Sequence, residues 1–154
     1  MNELVYRNLS EDAKRQICAW KYGGEYDLYN LPAYEEMQVR QIGFMNPKSE
    51  KNYYGFWDES ILVRFVNILE EKEEVFIGIG VNPDFCNKHY GQRMLLITYE
   101  ISKKLYPNKP LYLEVRTWNI RAVKCYQKAG FRIDGQAYDF QPIHPNMTFQ
   151  GKHL

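Results

Sequence analysis

The sequence predicts an α+β fold in which a mixed sheet of roughly seven strands is flanked by about four helices. Segments that alternate between apolar and polar residues, as strands do, occur along the chain among segments of helical periodicity. Twice an apolar strand runs into a helix, and neighbouring strands joined by right-handed crossovers lie parallel. Between residues 53 and 81 the strands follow one another closely, as in an antiparallel meander. Parallel and antiparallel pairs together make the sheet mixed.

The size and composition of the chain indicate a single domain over residues 1–154. Apolar residues make up 45% of the sequence, which excludes a disordered chain. Twenty basic and nineteen acidic residues give a net charge of +1, which argues against a nucleic-acid or membrane-surface binder. The sequence has no apolar run that would span a membrane and does not begin like a signal peptide, so we expect a cytoplasmic protein.

Three cysteines, Cys18, Cys86 and Cys125, are widely spaced and odd in number. We interpret them as free thiols in a reducing compartment. Cys86 and His89 are close in sequence, but two ligands do not make a zinc site, and no metal is predicted.

The N-terminal third predicts one strand and two helices. Leu4 to Asn8 alternates as a strand, and Ser10 is placed to cap a helix that continues through Trp20 and Lys21. That helix should fail at residues 23–24, within an aromatic, irregular segment that runs to residue 30. A second helix should start after Pro32, cover residues 33–41 and end near residue 43.

The meander over residues 53–81 has a charged turn at residues 70–74, which we interpret as a solvated hairpin tip. In its third strand, residues 75–81, the alternation leaves one face partly bare at Gly78 and Gly80. The opposite face carries Ile77, Ile79 and Val81. A bare strand face permits the close approach of a ligand or another backbone, or it marks a bulge. The strand alone does not decide between these interpretations.

A long helix should start near Tyr90 and end before Pro107. One of its faces carries an apolar stripe of Tyr90, Met94, Ile97, Ile101 and Leu105. Lys88, His89 and Arg93 place positive charge at its start, where free amides and the helix dipole attract an anion. The same charges are equally consistent with an ordinary solvated helix start.

The most informative stretch follows a predicted strand over Leu111 to Arg116. Asn119 is placed as a helix N-cap, Gly130 as the residue that ends the helix, and Phe131 at the start of a strand over residues 131–138. Ala122 and Tyr126 share one face of this helix. Any amphipathic helix closed by glycine accounts for the alanine, but it accounts less well for a tyrosine together with an asparagine cap. A last strand is expected around residues 147–150.

Asn119, Ala122, Tyr126, Gly130 and Phe131 together resemble the C-terminal motif of the GNAT superfamily of N-acetyltransferases, Asn-x-x-Ala-x-x-x-Tyr-x-x-x-Gly-Phe. The aromatic segment over residues 20–30 resembles, more loosely, a segment of a bacterial subgroup that forms part of the acceptor-site wall. The loop before Tyr90 is similar in part to the family's coenzyme A loop, Gln/Arg-x-x-Gly-x-Gly/Ala. Gly91 matches its last glycine, while Cys86 and His89 replace the Gln/Arg and the first Gly.

The resemblance implies an N-acetyltransferase that moves the acetyl group of acetyl-CoA to a primary amine by direct attack. The residues that would bind the donor are Ile79, Gly80, Val81, Lys88, His89, Tyr90, Gly91, Gln92, Asn119, Ala122 and Tyr126. Tyr126 would also support the departing thiolate as a catalytic residue. Glu114 is the candidate catalytic base, because it lies on the polar face of its strand. A structural charge pair, either between Glu114 and Arg116 or across strands, is the alternative.

Other functions stay open at this point. Cys86 and His89 favour a catalytically weak GNAT-like domain that binds or senses acyl-CoA through a degenerate loop. Four acidic residues would suit the acceptor cleft of an aminoglycoside-modifying enzyme, although exposed helix acids are the simpler interpretation: Glu25, Asp27, Glu35 and Glu36. The acceptor is a small-molecule or peptide amine, and the chain is a monomer or a homodimer.

Overall fold

The computed structural model describes residues 3–86, 89–116, 118–133 and 146–151. Over these residues the strands are β1 (Leu4–Asn8), β2 (Tyr53–Asp58), β3 (Ile61–Glu70), β4 (Val75–Val81), β5 (Leu111–Arg116), β6 (Phe131–Ile133) and β7 (Asn146–Gly151). The α-helices are α1 (Glu11–Ala19), α2 (Tyr34–Arg40), α3 (Tyr90–Leu105) and α4 (Ile120–Lys128). None of the helices described is both long and apolar enough to cross a membrane.

The chain divides into two compact units, residues 1–67 with 79–88 and residues 68–78 with 89–154. The strand order is β1-β2-β3-β4 in the first unit and β4-β5-β7-β6 in the second. β1 pairs antiparallel with β2, and β2 with β3, whereas β4 and β5 pair in parallel. β7 is antiparallel to both β5 and β6. The predicted α+β class, with a mixed sheet and four helices, is confirmed.

The first unit is built around an apolar cluster in which α1 and α2 pack with β2 and β3. Its buried members are Leu9, Ala13, Ile17, Cys18, Trp20, Tyr34, Met37, Phe44, Met45, Trp57 and Leu62. The hydroxyl of Ser10 accepts a hydrogen bond from the Ala13 amide at 3.1 Å, which confirms the predicted cap of α1. The predicted continuation of α1 through Trp20 is wrong. Trp20 turns to an extended conformation, and its indole is buried in the cluster.

In the second unit, α3 and β5 begin and end where the sequence predicts. The buried face of α3 includes Thr98 and Ser102, whereas Leu105 is 50% exposed, so the predicted apolar stripe is wrong at its end. Steps of four residues from Met94 lead to Thr98 and Ser102, and the Thr98 hydroxyl donates to the Met94 carbonyl at 2.7 Å. Because this hydrogen bond is satisfied inside the helix, Thr98 is buried at little cost, whereas Ser102 Oγ is buried without a hydrogen-bond partner. β6 begins at Phe131 as predicted, but residues 134–138 of that prediction lie outside the described residues.

The charged turn between β3 and β4 is more constrained than a solvated tip. The Glu71 amide donates to the Glu74 carbonyl at 2.8 Å, and Lys109 Nζ lies 2.7 Å from both Glu70 Oε2 and the Glu71 carbonyl. The Tyr112 hydroxyl donates to Glu71 Oε1 at 2.8 Å. Burial, together with the neighbouring Glu71 carboxylate, raises the pKa of Tyr112. Residues 72 and 73 at the tip are exposed, as is Glu70, whereas Glu71 and Glu74 are half-buried.

Candidate active site

β5 presents one apolar and one polar face, as its alternation predicts. Leu113 and Val115 are buried, while Glu114 between them is exposed. Among the described side chains, Glu114 makes no ion pair with Arg116. The Arg116 guanidinium instead has a buried nitrogen, Nη1, without a hydrogen-bond partner. Glu114 is therefore an exposed carboxylate on the polar face of β5.

One edge of β5 is left open within the second unit. The parallel ladder pairs Val75 with Leu111 and Phe76 with Tyr112, and its register ends there although β5 continues to Arg116. On its other edge β5 pairs with β7 along its length from Tyr112 onward. Among the described residues of the second unit, the backbone groups of β5 beyond Tyr112 on the β4 side therefore have no strand partner. An extended ligand with amide groups would supply one.

α4 has the local geometry that its sequence predicts. The Asn119 side chain accepts a hydrogen bond from the Ala122 amide at 3.3 Å, and Gly130 takes a φ of 106° just after the helix. That φ suits glycine, because a Cβ would be strained there. Tyr126 is half-buried, and its ring centroid lies 6.4 Å from that of Phe131 in an edge-on arrangement. The cap, the end of the helix and the tyrosine are thus all positioned as expected.

The start of α3 combines an unusual backbone conformation with a tight contact. His89 is the N-cap residue and has a φ of 63° and a ψ of 11°, in the left-handed region that favours glycine. Its side chain caps no amide, and the first turn contains no acidic residue. A Cβ on Gly91 would lie 2.6 Å from the Sγ atom of Cys125, so this glycine allows α3 to approach α4 closely. Gln92 is exposed, and Lys88 lies outside the described residues.

The end of β4 belongs to the first unit, and its bare face is occupied. A Cβ on Gly80 would lie 1.8 Å from Cε1 of Phe65, so the aromatic ring of β3 fills the space that the missing side chain leaves. Of the interpretations that the sequence left open for this bare face, the structure shows a side chain of the neighbouring strand filling it at Gly80. Ile79 and Val81 are half-buried. Gly80 can contribute to a donor site only through its backbone.

The aromatic segment of the first unit forms a short 3₁₀ helix over Gly24–Tyr29. Tyr22 precedes it, and its hydroxyl donates a hydrogen bond to the Val81 carbonyl at the end of β4. Burial raises the pKa of Tyr22 to about 12. The predicted acidic residues Glu25 and Asp27 are exposed on this helix, as are Glu35 and Glu36 on α2.

Arg64 is a residue of this region that sequence reasoning missed. Its side chain is 3% exposed, and Nη1 donates to the Val63 carbonyl at 2.8 Å and to the Phe85 carbonyl at 3.1 Å. The sequence did carry a signal, because Arg64 is the only charge within the apolar run of residues 61–66. A buried cation needs hydrogen-bond partners, and carbonyls of the turn after β4 supply them. Arg64 thus fixes the turn that leads toward α3.

Cys18, Cys86 and Cys125 are free thiols, as predicted. Within the described ranges, no three His, Cys, Asp or Glu side chains come together as a metal site would require.

Comparison with known proteins relates these features to one family. The model of the acetyltransferase (GNAT) family matches residues 9–131, whereas no curated protein sequence matches the chain. One similar solved structure is a spermidine N-acetyltransferase SpeG chimera from Vibrio cholerae and hSSAT. Its TM-score is 0.79 at 17% identity, over 96% of this chain and 94% of that one.

Two further solved structures share the fold. A GNAT-family acetyltransferase from Streptococcus pneumoniae has a TM-score of 0.68 at 23% identity, covering 97% of this chain and 98% of that one. The ribosomal-protein-S18-alanine N-acetyltransferase from Escherichia coli has a TM-score of 0.66 at 16% identity, covering 97% and 93%. The matched range of the family model contains β5, α4 and the start of α3, and it spans most of the sequence. The chain therefore belongs to the GNAT family of acetyltransferases.

Proposed function

We propose that this protein is an N-acetyltransferase that moves the acetyl group of acetyl-CoA to a primary amine. The observation that carries the proposal is the geometry of α4: Asn119 caps its start, Gly130 ends it, and the half-buried Tyr126 lies between them. The strand that leads into this helix carries the exposed carboxylate of Glu114. The residues 1–154 act as a single domain in this proposal, since the matched family range includes residues of both compact units.

The residues at the start of α3 fit the phosphates of the donor. The backbone amides at the start of a helix attract an anion, and here neither a side-chain cap from His89 nor an acidic residue competes for that position. His89 adopts a left-handed backbone conformation, which favours glycine, the residue that the family loop has at this position. This conformation weakens the case for a degenerate loop and for the alternative of a sensing domain. Tyr90, Gly91 and Gln92 would then bind the pyrophosphate through their amides, with Lys88 and His89 beside them.

The open edge of β5 fits the rest of the donor. Coenzyme A has a long arm with two amide groups, which matches a strand edge that lacks a partner beyond Tyr112. Ile79, Gly80 and Val81 would contribute backbone amides to the thioester oxygen as negative charge develops on it. Asn119 and Ala122 would support the donor from α4.

The chemistry requires two proton movements. An acceptor amine with a pKa of about 10 is protonated at neutral pH, so Glu114 takes up its proton, directly or through a water. The amine nitrogen then forms a bond to the acetyl carbon, and the bond between that carbon and sulfur breaks. The nitrogen releases its second proton to solvent, which leaves a neutral amide. The sulfur leaves with the electron pair, and the Tyr126 hydroxyl donates a hydrogen bond to it. The reference pKa of a tyrosine, about 10, exceeds that of a thiol, about 8.5, so hydrogen bonding outweighs full proton transfer.

The acceptor in this proposal is a small-molecule or peptide amine. Two of the similar solved structures are named for such acceptors, spermidine and the alanine of ribosomal protein S18. Their low identity to this chain leaves the choice to experiment. A panel that contains spermidine and a peptide with an N-terminal alanine would separate the two classes.

Calorimetric titration with acetyl-CoA tests the donor. We expect saturable binding below millimolar concentration, and an absence of binding at millimolar acetyl-CoA would refute the proposal. The titration would also expose a non-catalytic binding domain, which would bind the donor but release no thiol with any acceptor of the panel.

Tyr126→Phe tests the catalytic assignment. Thiol release should fall by roughly 10² to 10⁴, because the hydrogen bond that assists the departing sulfur is lost, while acetyl-CoA still binds. Tyr99→Phe in α3 is the matched control, since it removes a hydroxyl from the same unit, and it should keep full activity. Unchanged turnover in Tyr126→Phe would rule out the role of Tyr126.

A further inference from the structure

Tyr22 is held within the first unit by contacts of both its side chain and its backbone. Its hydroxyl donates to the Val81 carbonyl, and its ring meets that of Tyr29 edge-on, with 6.5 Å between the centroids. Its own amide donates to Asn30 Oδ1 at 2.6 Å, and Asn30 Nδ2 donates back to the Tyr22 carbonyl at 3.3 Å. The Asn30 side chain thus clamps the backbone of Tyr22, and the phenol is presented to β4 in one orientation.

The acceptor of this hydrogen bond is part of a peptide plane that is fixed at both ends. The Val81 carbonyl and the Asn82 amide belong to the same rigid peptide unit. The Asn82 amide donates to the Val63 carbonyl of β3 at 3.0 Å, and the Asn82 side chain donates to the Leu62 carbonyl at 3.0 Å. Tyr22 therefore holds one end of this plane and β3 holds the other.

We propose that Tyr22 is a positioning residue for the acetyl donor, which fixes the end of β4 by its hydrogen bond to Val81. The inference rests on the proposed function, because it takes Ile79, Gly80 and Val81 as donor-binding residues. Without the phenol, the Val81 carbonyl loses its partner, and the peptide plane is held from the Asn82 side alone. The backbone amides beside it would then no longer be held in the orientation that the donor needs. The aromatic segment over residues 20–30, which resembles part of an acceptor-site wall, would thereby control the affinity for the acetyl donor.

Tyr22 acts in this role as a hydrogen-bond donor and not as an acid or base. With a pKa of about 12, the phenol keeps its proton throughout the neutral and mildly alkaline range. Arg64 and Cys86 are the charged and titratable groups whose fields act on it, and Arg64 stays protonated throughout this range. The pH profile of turnover should therefore be the same in the wild type and in Tyr22→Phe.

The test compares Tyr22→Phe with Tyr53→Phe. Both variants lose one phenol hydroxyl from the first unit, and burial raises the pKa of Tyr53 as well, but its hydroxyl has no hydrogen bond to Val81. Calorimetric titration with acetyl-CoA should show about tenfold weaker binding for Tyr22→Phe and wild-type binding for Tyr53→Phe. Asn30→Ala, which releases the clamp on Tyr22, should weaken binding in the same direction. Without ligand, the Asn82 amide should exchange its hydrogen faster in Tyr22→Phe than in the wild type, and at the wild-type rate in Tyr53→Phe.

Each pattern of results decides the question. Weaker binding in Tyr22→Phe with faster exchange at Asn82 supports the positioning role. Faster exchange with wild-type affinity would make Tyr22 a purely structural residue and overturn the inference, and so would an altered pH profile. If the wild type itself does not bind acetyl-CoA, the proposed function falls and the inference falls with it. That pattern is distinct from a wild type and a Tyr22→Phe variant that bind equally well.

Discussion

Gly80→Ala should destabilise the protein strongly, because the space beside this residue is already filled. The new Cβ would lie 1.8 Å from Cε1 of Phe65 and 2.4 Å from Cδ1 and Cζ, whereas ordinary contact begins at 3.4 Å. The ring would have to retreat by more than an ångström. The rings of Trp20, Phe44 and Tyr53 surround it, with centroids 6.1, 6.1 and 6.3 Å away. Overpacking of a core costs about 1–3 kcal/mol, and with three rings blocking relief we expect about 3 kcal/mol.

Urea or thermal unfolding measures this cost. For a chain of this size, about 3 kcal/mol corresponds to a fall in Tm of roughly 6–12 °C. Gly23→Ala is the matched control, since no atom lies within 4 Å of its Cβ position, and it should change Tm little. Phe65→Leu in the Gly80→Ala background should restore part of the loss, with a coupling of at least about 1 kcal/mol. A Gly80→Ala variant as stable as Gly23→Ala would refute the packing explanation.

Three further predictions concern other residues. His89→Gly should raise the free energy of unfolding by up to about 1 kcal/mol in thermal unfolding, because glycine adopts a φ of 63° without strain; a loss would show that the imidazole itself stabilises the loop. Gly91→Ala should cost about 1–2 kcal/mol by its clash with Cys125 Sγ, and Cys125→Ala should recover most of it, whereas purely additive effects would contradict the contact. Burial alone would lower the pKa of Lys14, but its 2.5 Å contact with Glu50 helps to raise it above 10.5, so this stability is present at neutral pH and lost as pH rises through the folded pKa. Glu50→Gln should lower the urea midpoint at pH 7 and flatten its decline toward pH 11, and an unchanged profile would mean that the pair contributes nothing.

Features that depend on a few neighbouring residues could be predicted from the sequence. The caps at Ser10 and Asn119 and the helix end at Gly130 are of this kind, since each depends on chemistry within three or four positions. The faces of β5 follow equally directly from its alternation. The family motif therefore appears in the structure with the local geometry that the sequence predicts. The catalytic and binding roles of its residues stay predictions.

Contacts between distant segments could not be predicted, because they depend on how strands and loops are placed in three dimensions. Alternation shows that β4 has a bare face at Gly80, but it does not reveal that Phe65 of β3 fills it. The partner of the Tyr22 hydroxyl is 59 positions away in the chain. Gly91 matches a phosphate-loop glycine in the sequence, and the structure adds that it also makes room for Cys125. In each case the sequence indicates that the residue is unusual, but it does not reveal which distant residue it contacts.

The turn between β3 and β4 bears on how this protein can be engineered. Its run of charged residues makes it a natural choice for inserting a tag or a protease site. Yet Lys109 and Tyr112, which follow α3, are both bound to Glu71, so an insertion that displaces Glu71 would remove the side-chain contacts between β5 and the hairpin. Only the bond between residues 72 and 73 lies clear of these contacts. A tag placed there should leave the protein resistant to proteolysis, whereas one placed a residue earlier should make both strands susceptible to cleavage.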